Sequence, residues 1–189
     1  MLNFVLSKAQ TALLIVDAQD KVFAAVDHSN SVLQTIIRVI KAFQILDIPI
    51  VVSEQYPEGL GQTVLPIRNS LGQDYRPWKK TTFSCMDDPL FSKHVEDSSL
   101  TQWILVGIEA HICVLQTAKG LLKLGKQVVV LNDAISSRSI YDFSTGIAEM
   151  RDAGVRISCS ETILFELLQN SHCPEFKEVS RLIKSRCND

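Results

Sequence analysis

Apolar residues along this chain fall into two kinds of run. TALLIVD (11–17), DIPIVVSEQ (47–55), TQWILVG (101–107), KQVVVLND (126–133) and GVRISCS (154–160) are short and nearly continuous, and read as strands. HSNSVLQTIIRVIKAFQILD (28–47) instead repeats its apolar residues at positions 33, 36, 37, 40, 43 and 46, the period of a helix, with Ser29, Asn30 or Ser31 as its cap. Similar helical patterns cover 111–124, 142–153, 161–169 and 174–186. A strand that is apolar at every position is covered on both faces, and strands alternating with helices build βαβ units. The pattern therefore predicts an α/β fold of three layers, a Rossmann-like, mostly parallel sheet of five to six strands between two helical layers. Residues 56–100 break the pattern with Pro57, Pro66, Pro77, Pro89, Gly59, Gly61 and Gly72, and are expected to be loops with one short strand near 76–81.

In such sheets ligands sit beyond the carboxyl ends of the strands. The residues expected there are Asp17 and Gln19; Glu54, Gln55 and Tyr56; Lys79, Lys80, Phe83 and Ser84; Glu109, His111 and Cys113; and Asp133 with Ser136–Ser139.

Composition narrows the picture. With 19 basic and 21 acidic residues mixed along 189, and a net charge of −2, no basic stripe supports a nucleic-acid partner. No apolar run is long enough to span a bilayer, and MLNFVLSKAQT reads as the start of the fold rather than as a signal peptide. No repeat or linker divides the chain, so one domain over 1–189 is expected, with its core over about 9–170 and a C-terminal helix at 174–186. Five cysteines, an odd number at irregular spacing, fit free thiols in a reducing compartment such as the cytoplasm.

Cys113 is the first candidate for chemistry. It follows a strand that ends at Gly107 and opens a helical pattern, where backbone N–H groups and the helix dipole lower a thiol pKa. Against this stands the ordinary role of a free cysteine as a small buried hydrophobe. Asp17 is a proton acceptor for that thiol or a structural strand-end carboxylate. Either Lys79 or Lys80 supplies a balancing charge, and spacing alone does not choose between them. His111 stands two residues before Cys113, so a Cys–His dyad is also open. No metal-ligand spacing, Gly-x-Gly-x-x-Gly or P-loop is present.

Several ordered segments carry a resemblance. ALLIVDAQDKVF (12–23), VVSEQYPEGLGQTV (51–64), KTTFSC (80–85), LVGIEAHICVLQTA (105–118), VVVLNDAISSRS (128–139) and MRDAGVRISCSETILFELL (150–168) resemble the isochorismatase-like cysteine hydrolases. The branch called isochorismatase domain-containing proteins is the most similar. The resemblance implies a parallel sheet with helices on both faces and a catalytic triad of Asp17, Lys80 and Cys113. It also implies a non-proline cis peptide at Ile108–Glu109 that turns the Glu109 N–H toward an oxyanion, beside that of Cys113. Where the superfamily's nicotinamidases carry D-x-H…H metal ligands, this chain has Glu54, Gln55 and Tyr56, so no metal or other cofactor is expected.

The expected function is cysteine-dependent hydrolysis of a small molecule, an amide, ester or related C–N bond, through a thioester. Gln19, Phe23, Gln55, Tyr56 and Phe83 are the expected pocket residues. The alternative is a weak or vestigial site in a partner-binding or redox-sensing module, with Cys85 as a possible resolving thiol. Apolar helical faces at 113–124 and 142–153, and the habit of the family, lead us to expect a homo-oligomer, without a nucleic-acid or membrane partner.

Overall fold

Six strands, β1 (Thr11–Val16), β2 (Ile50–Gln55), β3 (Trp78–Lys80), β4 (Gln102–Ile108), β5 (Gln127–Ser136) and β6 (Arg156–Ser158), form one sheet in the computed structural model, which describes residues 4–184. The order is β3-β2-β1-β4-β5-β6 and every neighbouring pair is parallel. Every residue of β1 and β4 is buried, as continuous apolar runs require of central strands. A one-turn helix, α1 (Asp20–Phe23), follows β1, whose odd and even positions feed two separate cores. Leu13 and Ile15 pack with Ile36, Ile40 and Phe43 of α2 (Ser29–Ile45), while Ala12, Leu14 and Val16 pack with residues of the opposite layer.

The segment read as irregular is more ordered than its prolines suggested. It holds α3 (Pro57–Leu60), α4 (Leu65–Leu71) and α5 (Pro89–Asp97), besides β3. Each of these helices has proline in its first turn, where the missing N–H costs nothing, so these prolines start helices. None of Ser29, Asn30 and Ser31 caps α2. That helix leaves directly from His28, which is left-handed at φ 52°, and Ser29–Ser31 lie inside its first turn.

The expected helix 111–124 divides into a wide turn at Ala110–Val114 and α6 (Leu115–Lys123). Beyond it come α7 (Ile140–Asp152), α8 (Ser160–Leu168) and α9 (Phe176–Lys184). The end of the predicted helix 174–186 lies outside the described residues. Leu115, Ala118 and Leu121 of α6 and Met150 of α7 belong to the same core cluster, so the faces expected to meet a second subunit are largely used within the chain. Among the described residues no helix is long and apolar enough to cross a membrane.

From β1 the sheet grows toward β2 and β3 on one side and toward β4, β5 and β6 on the other. The chain leaves β1 and β4 toward opposite layers, which opens a crevice at their carboxyl ends.

Candidate active site

The crevice is built from four strand ends. Asp17 directly follows β1 in a left-handed conformation, φ 46°, and is 4% exposed. Lys80 ends β3 and lies 5% exposed. Its Nζ donates to Asp17 Oδ2 at 2.6 Å, and to the carbonyls of Thr82 and Phe83 at 2.9 and 3.1 Å. These three acceptors account for all three N–H bonds of the ammonium. Lys79 next to it is exposed, and Lys80 is the lysine that reaches Asp17.

The other Asp17 oxygen is held by a residue that the sequence reading passed over. Ser53 Oγ, in the middle of β2 and fully buried, donates to Asp17 Oδ1 at 2.7 Å and accepts the Asp17 N–H at 3.3 Å. A hydroxyl inside an apolar strand was the available signal, because a buried polar group needs a partner.

Cys113 sits in the wide turn after β4. The Val114 N–H reaches back five residues to the Glu109 carbonyl at 3.2 Å, and the Ile112 N–H joins it there at 3.1 Å. This π-type widening lies at the first turn of the helix, where N–H groups have no acceptor within the helix. The thiol donates to Gln55 Oε1 at 3.6 Å and is 6% exposed.

Burial first, and then Asp17 as charge and acceptor, push the Cys113 thiol well above its ordinary range, against the pull of Lys80. The helix-start argument for a lowered pKa is corrected here. Desolvation and a nearby carboxylate outweigh the dipole, and the resting thiol is protonated. Burial alone would pull the Lys80 ammonium down, but the charge of Asp17 and the hydrogen bond to it hold it above its usual value. Cys85 is fully buried, and burial foremost raises its thiol to about 11.

Asp17, Cys113, Gln55, Phe83, Ile108 and Glu109 line one cavity of about 350 Å³. Gln19 also borders it, but its amide is committed elsewhere, with Nε2 on the carbonyls of Gln55 and Gly61 and Oε1 on the Gln55 N–H. It is a clip between β1 and β2 rather than a free recognition group. Two further expectations are corrected. Phe23 is 4% exposed and packs in the α2-side core, and Tyr56 is exposed beside Gly59, so neither lines the cavity. Val22, Leu60, Ile112, Lys21 and Arg138 line it instead. They come from loops and short helices whose convergence leaves no periodic trace.

The peptide Ile108–Glu109 is cis. The Glu109 carboxylate accepts from Arg138 Nε at 2.9 Å, beyond β5. His111 Nδ1 lies 2.9 Å from Ser137 Oγ, and its first-noted partnership with Cys113 does not form. Two other carboxylates expected near this edge are structural, and Asp133 lies inside β5, which runs on to Ser136. Asp133 accepts from the N–H and hydroxyl of Ser160 at the start of α8. Glu54 faces away from Ser53, where it takes both the N–H and hydroxyl of Thr63 and the hydroxyl of Tyr75.

The donors after β2 do not fit a metal site. Glu54 is turned to the other face and fully engaged, and Gln55 offers an amide. Among the described residues no cluster of three or more His, Cys, Asp or Glu side chains is placed to hold a metal ion.

A family model described as "Isochorismatase domain" matches residues 11–162. The mouse protein "Isochorismatase domain-containing protein 2A" is 37% identical over 178 residues, which cover 94% of this chain and 84% of the relative. A solved structure from Caenorhabditis elegans, titled as a MAR1 ribonuclease, superposes with a TM-score of 0.89 at 38% identity, covering 95% of this chain and 92% of that one. The Escherichia coli YcaC gene product, described as an octameric hydrolase of unknown specificity, has a TM-score of 0.86 at 17% identity, covering 100% of this chain and 98% of that one, a likeness of fold alone.

Proposed function

This chain belongs to the isochorismatase family, and from that premise we propose that it is a cysteine-dependent hydrolase of a small amide, ester or related C–N compound. One observation carries the reading: a buried thiol opens onto a cavity whose floor holds a carboxylate fixed by an ammonium and a hydroxyl. Burying a charged pair is costly, so a pair placed beside a nucleophile in a cleft points to chemistry.

In the proposed reaction Cys113 Sγ attacks the carbonyl carbon while its proton passes to Asp17. The carbonyl oxygen gathers negative charge and takes hydrogen bonds from the N–H groups of Glu109 and Cys113. Collapse breaks the bond to the amine or alcohol, which leaves with the proton from Asp17. Water then cleaves the thioester, giving the carboxylic acid and restoring the thiol. Lys80 keeps a neighbouring positive charge throughout and fixes the orientation of Asp17. A raised resting thiol pKa suits this scheme, since thiolate is made only when a carbonyl is there to be attacked.

Phe83, Val22, Leu60 and Ile112 favour a compact, partly apolar substrate. The Caenorhabditis elegans neighbour is titled a ribonuclease, but both cations at this cavity are already engaged: Lys21 Nζ on the Gly59 carbonyl at 2.7 Å, and Arg138 on Glu109. That arrangement favours a small neutral carbonyl compound over a phosphodiester. A second reading, a slow site kept in a binding module, draws on the same burial that holds the thiol protonated. Exposed Ile140 and Tyr141, at 59% and 82%, together with the octameric Escherichia coli protein, support a homo-oligomer.

The test is a panel of carboxamides, esters and an RNA oligonucleotide. We expect turnover of amides or esters that Cys113→Ala abolishes, with an acyl mass trapped on Cys113. No Cys113-dependent turnover of any amide or ester would sink the proposal, and cleavage of RNA alone would favour the nuclease reading.

A further inference from the structure

We infer that Arg138 is a positioning residue, which holds the Glu109 side chain and through it the peptide N–H that receives the developing oxyanion. The inference rests on the hydrolase reading above and adds a residue to it.

Glu109 stands where β4 gives way to the turn that carries Cys113. It follows the cis peptide directly, it lies at the end of β4, and its carboxylate is 9% exposed at the wall of the cavity. The Glu109 carbonyl is tied from within the turn by Ile112 and Val114. Its side chain is tied from outside, by Arg138 Nε at 2.9 Å. A residue held at both its carbonyl and its carboxylate has little freedom to rotate its N–H.

Arg138 is anchored in turn. The end of β5 is fastened to the loop before α2: Ser136 Oγ donates to the Asp27 carbonyl at 2.6 Å, and the Asp27 N–H donates to the Ser137 carbonyl at 2.9 Å. Ser137 Oγ also meets His111 Nδ1 at 2.9 Å. α7 closes on the same turn, because a Cβ at Gly146 would come within 2.9 Å of the His111 Cα. The β5–α7 segment thus grips the nucleophile turn at two adjacent points, and Arg138 is the one that reaches the oxyanion peptide.

A surface ion pair between mobile side chains is worth little. Here one partner is nearly buried and the other is planar and directional, so the bond fixes a geometry more than it adds stability. Oxyanion donors act only when they sit where the charge develops, and small displacements are expensive.

Two reagents separate the possible roles. p-Nitrophenyl acetate acylates a thiol through a tetrahedral oxyanion: the C–S bond forms, p-nitrophenolate leaves, and the thiol proton goes to Asp17. Iodoacetamide alkylates by displacing iodide at a methylene carbon and builds no oxyanion. We expect Arg138→Ala to slow Cys113 acylation by about 10-fold or more, short of the roughly 100- to 1000-fold that outright loss of an oxyanion donor costs, while iodoacetamide alkylation of Cys113 stays within about 2-fold. We expect Glu109→Ala to do the same, and the double variant to be no slower than either single one.

Equal losses with both reagents would overturn the inference in favour of general damage to the turn. Unchanged acylation would also overturn it, and would leave Arg138 free to act on a charged substrate, which p-nitrophenyl acetate is not. If wild-type Cys113 is not acylated at all, while Cys113→Ala behaves identically, the hydrolase reading fails and this inference fails with it.

Discussion

Lys80 and Asp17 form an ion pair of 2.6 Å in which the two side chains are 2% and 5% exposed. No other pair between described residues is so fully withdrawn from water on both sides. Removing one partner leaves the other charge buried and alone, which typically costs about 3–5 kcal/mol. Lys80→Met should lower the urea midpoint accordingly. The double variant Lys80→Met/Asp17→Asn should recover part of that loss, and both should lack Cys113-dependent turnover. A Lys80→Met protein as stable as wild type would show that the pair is solvated in solution.

Ser53 should be needed for Asp17 to act. Ser53→Ala removes the donor to Asp17 Oδ1 and leaves a buried acceptor unsatisfied, a loss of about 1–3 kcal/mol. Turnover should drop while Cys113 remains in place, and Ser53→Thr should restore more of it than Ser53→Val does. Equal activity in the Thr and Val variants would count against a role for the hydroxyl.

Stability should fall steadily in alkali. Cys85 is raised from 9.0 to about 11 and Tyr75 from 10.0 to about 12, each chiefly by burial. Cys113 and Lys80 are raised as well. All four hold their protons more tightly folded than unfolded, so unfolding releases protons above about pH 9 and stability declines as pH rises. The part contributed by Lys80 is complete below its ordinary value of 10.5 and is lost as pH climbs through its higher folded value. Melting temperatures followed from about pH 8 to about pH 11.5 test this. Cys85→Ala should flatten the early part of the decline.

The resting thiol should be sluggish. Held protonated by burial and by Asp17, Cys113 should react with iodoacetamide at neutral pH more slowly than a small free thiol, with a rate still rising above pH 9.0. Asp17→Asn should bring its pKa down and speed alkylation while turnover is lost. Faster alkylation of the wild type than of a free thiol would contradict the burial argument.

Glu54 separates stability from chemistry. It lies one residue before the end of β2, beside the site, yet it serves Thr63 and Tyr75 on the opposite face. Glu54→Ala should cost about 2–4 kcal/mol, as expected when a buried network loses its common acceptor. Cys113 acylation per folded molecule should stay near the wild-type rate. A loss of acylation as large as that of Asp17→Asn would place Glu54 in the chemistry after all.

The sequence by itself determined the layers and the edge at which chemistry gathers. Continuous apolar runs at 11–16 and 102–108 can be satisfied only by central strands covered on both faces. Parallel strands then put Asp17, Lys80 and Cys113 at the same end of the sheet. Only the tertiary structure decided what each group does there. Ser53 and Asp17 are 36 residues apart and meet because β1 and β2 pair in one register. Glu54 falls on the wrong face because side chains alternate along a strand. Phe23 is spent in the core, and the cavity wall comes from Leu60, Ile112 and Arg138, which share no period. The sign of the shift at Cys113 was decided there too. A helix start argues for a low pKa, but solvent exclusion and the distance to a carboxylate are properties of the folded molecule, and they win.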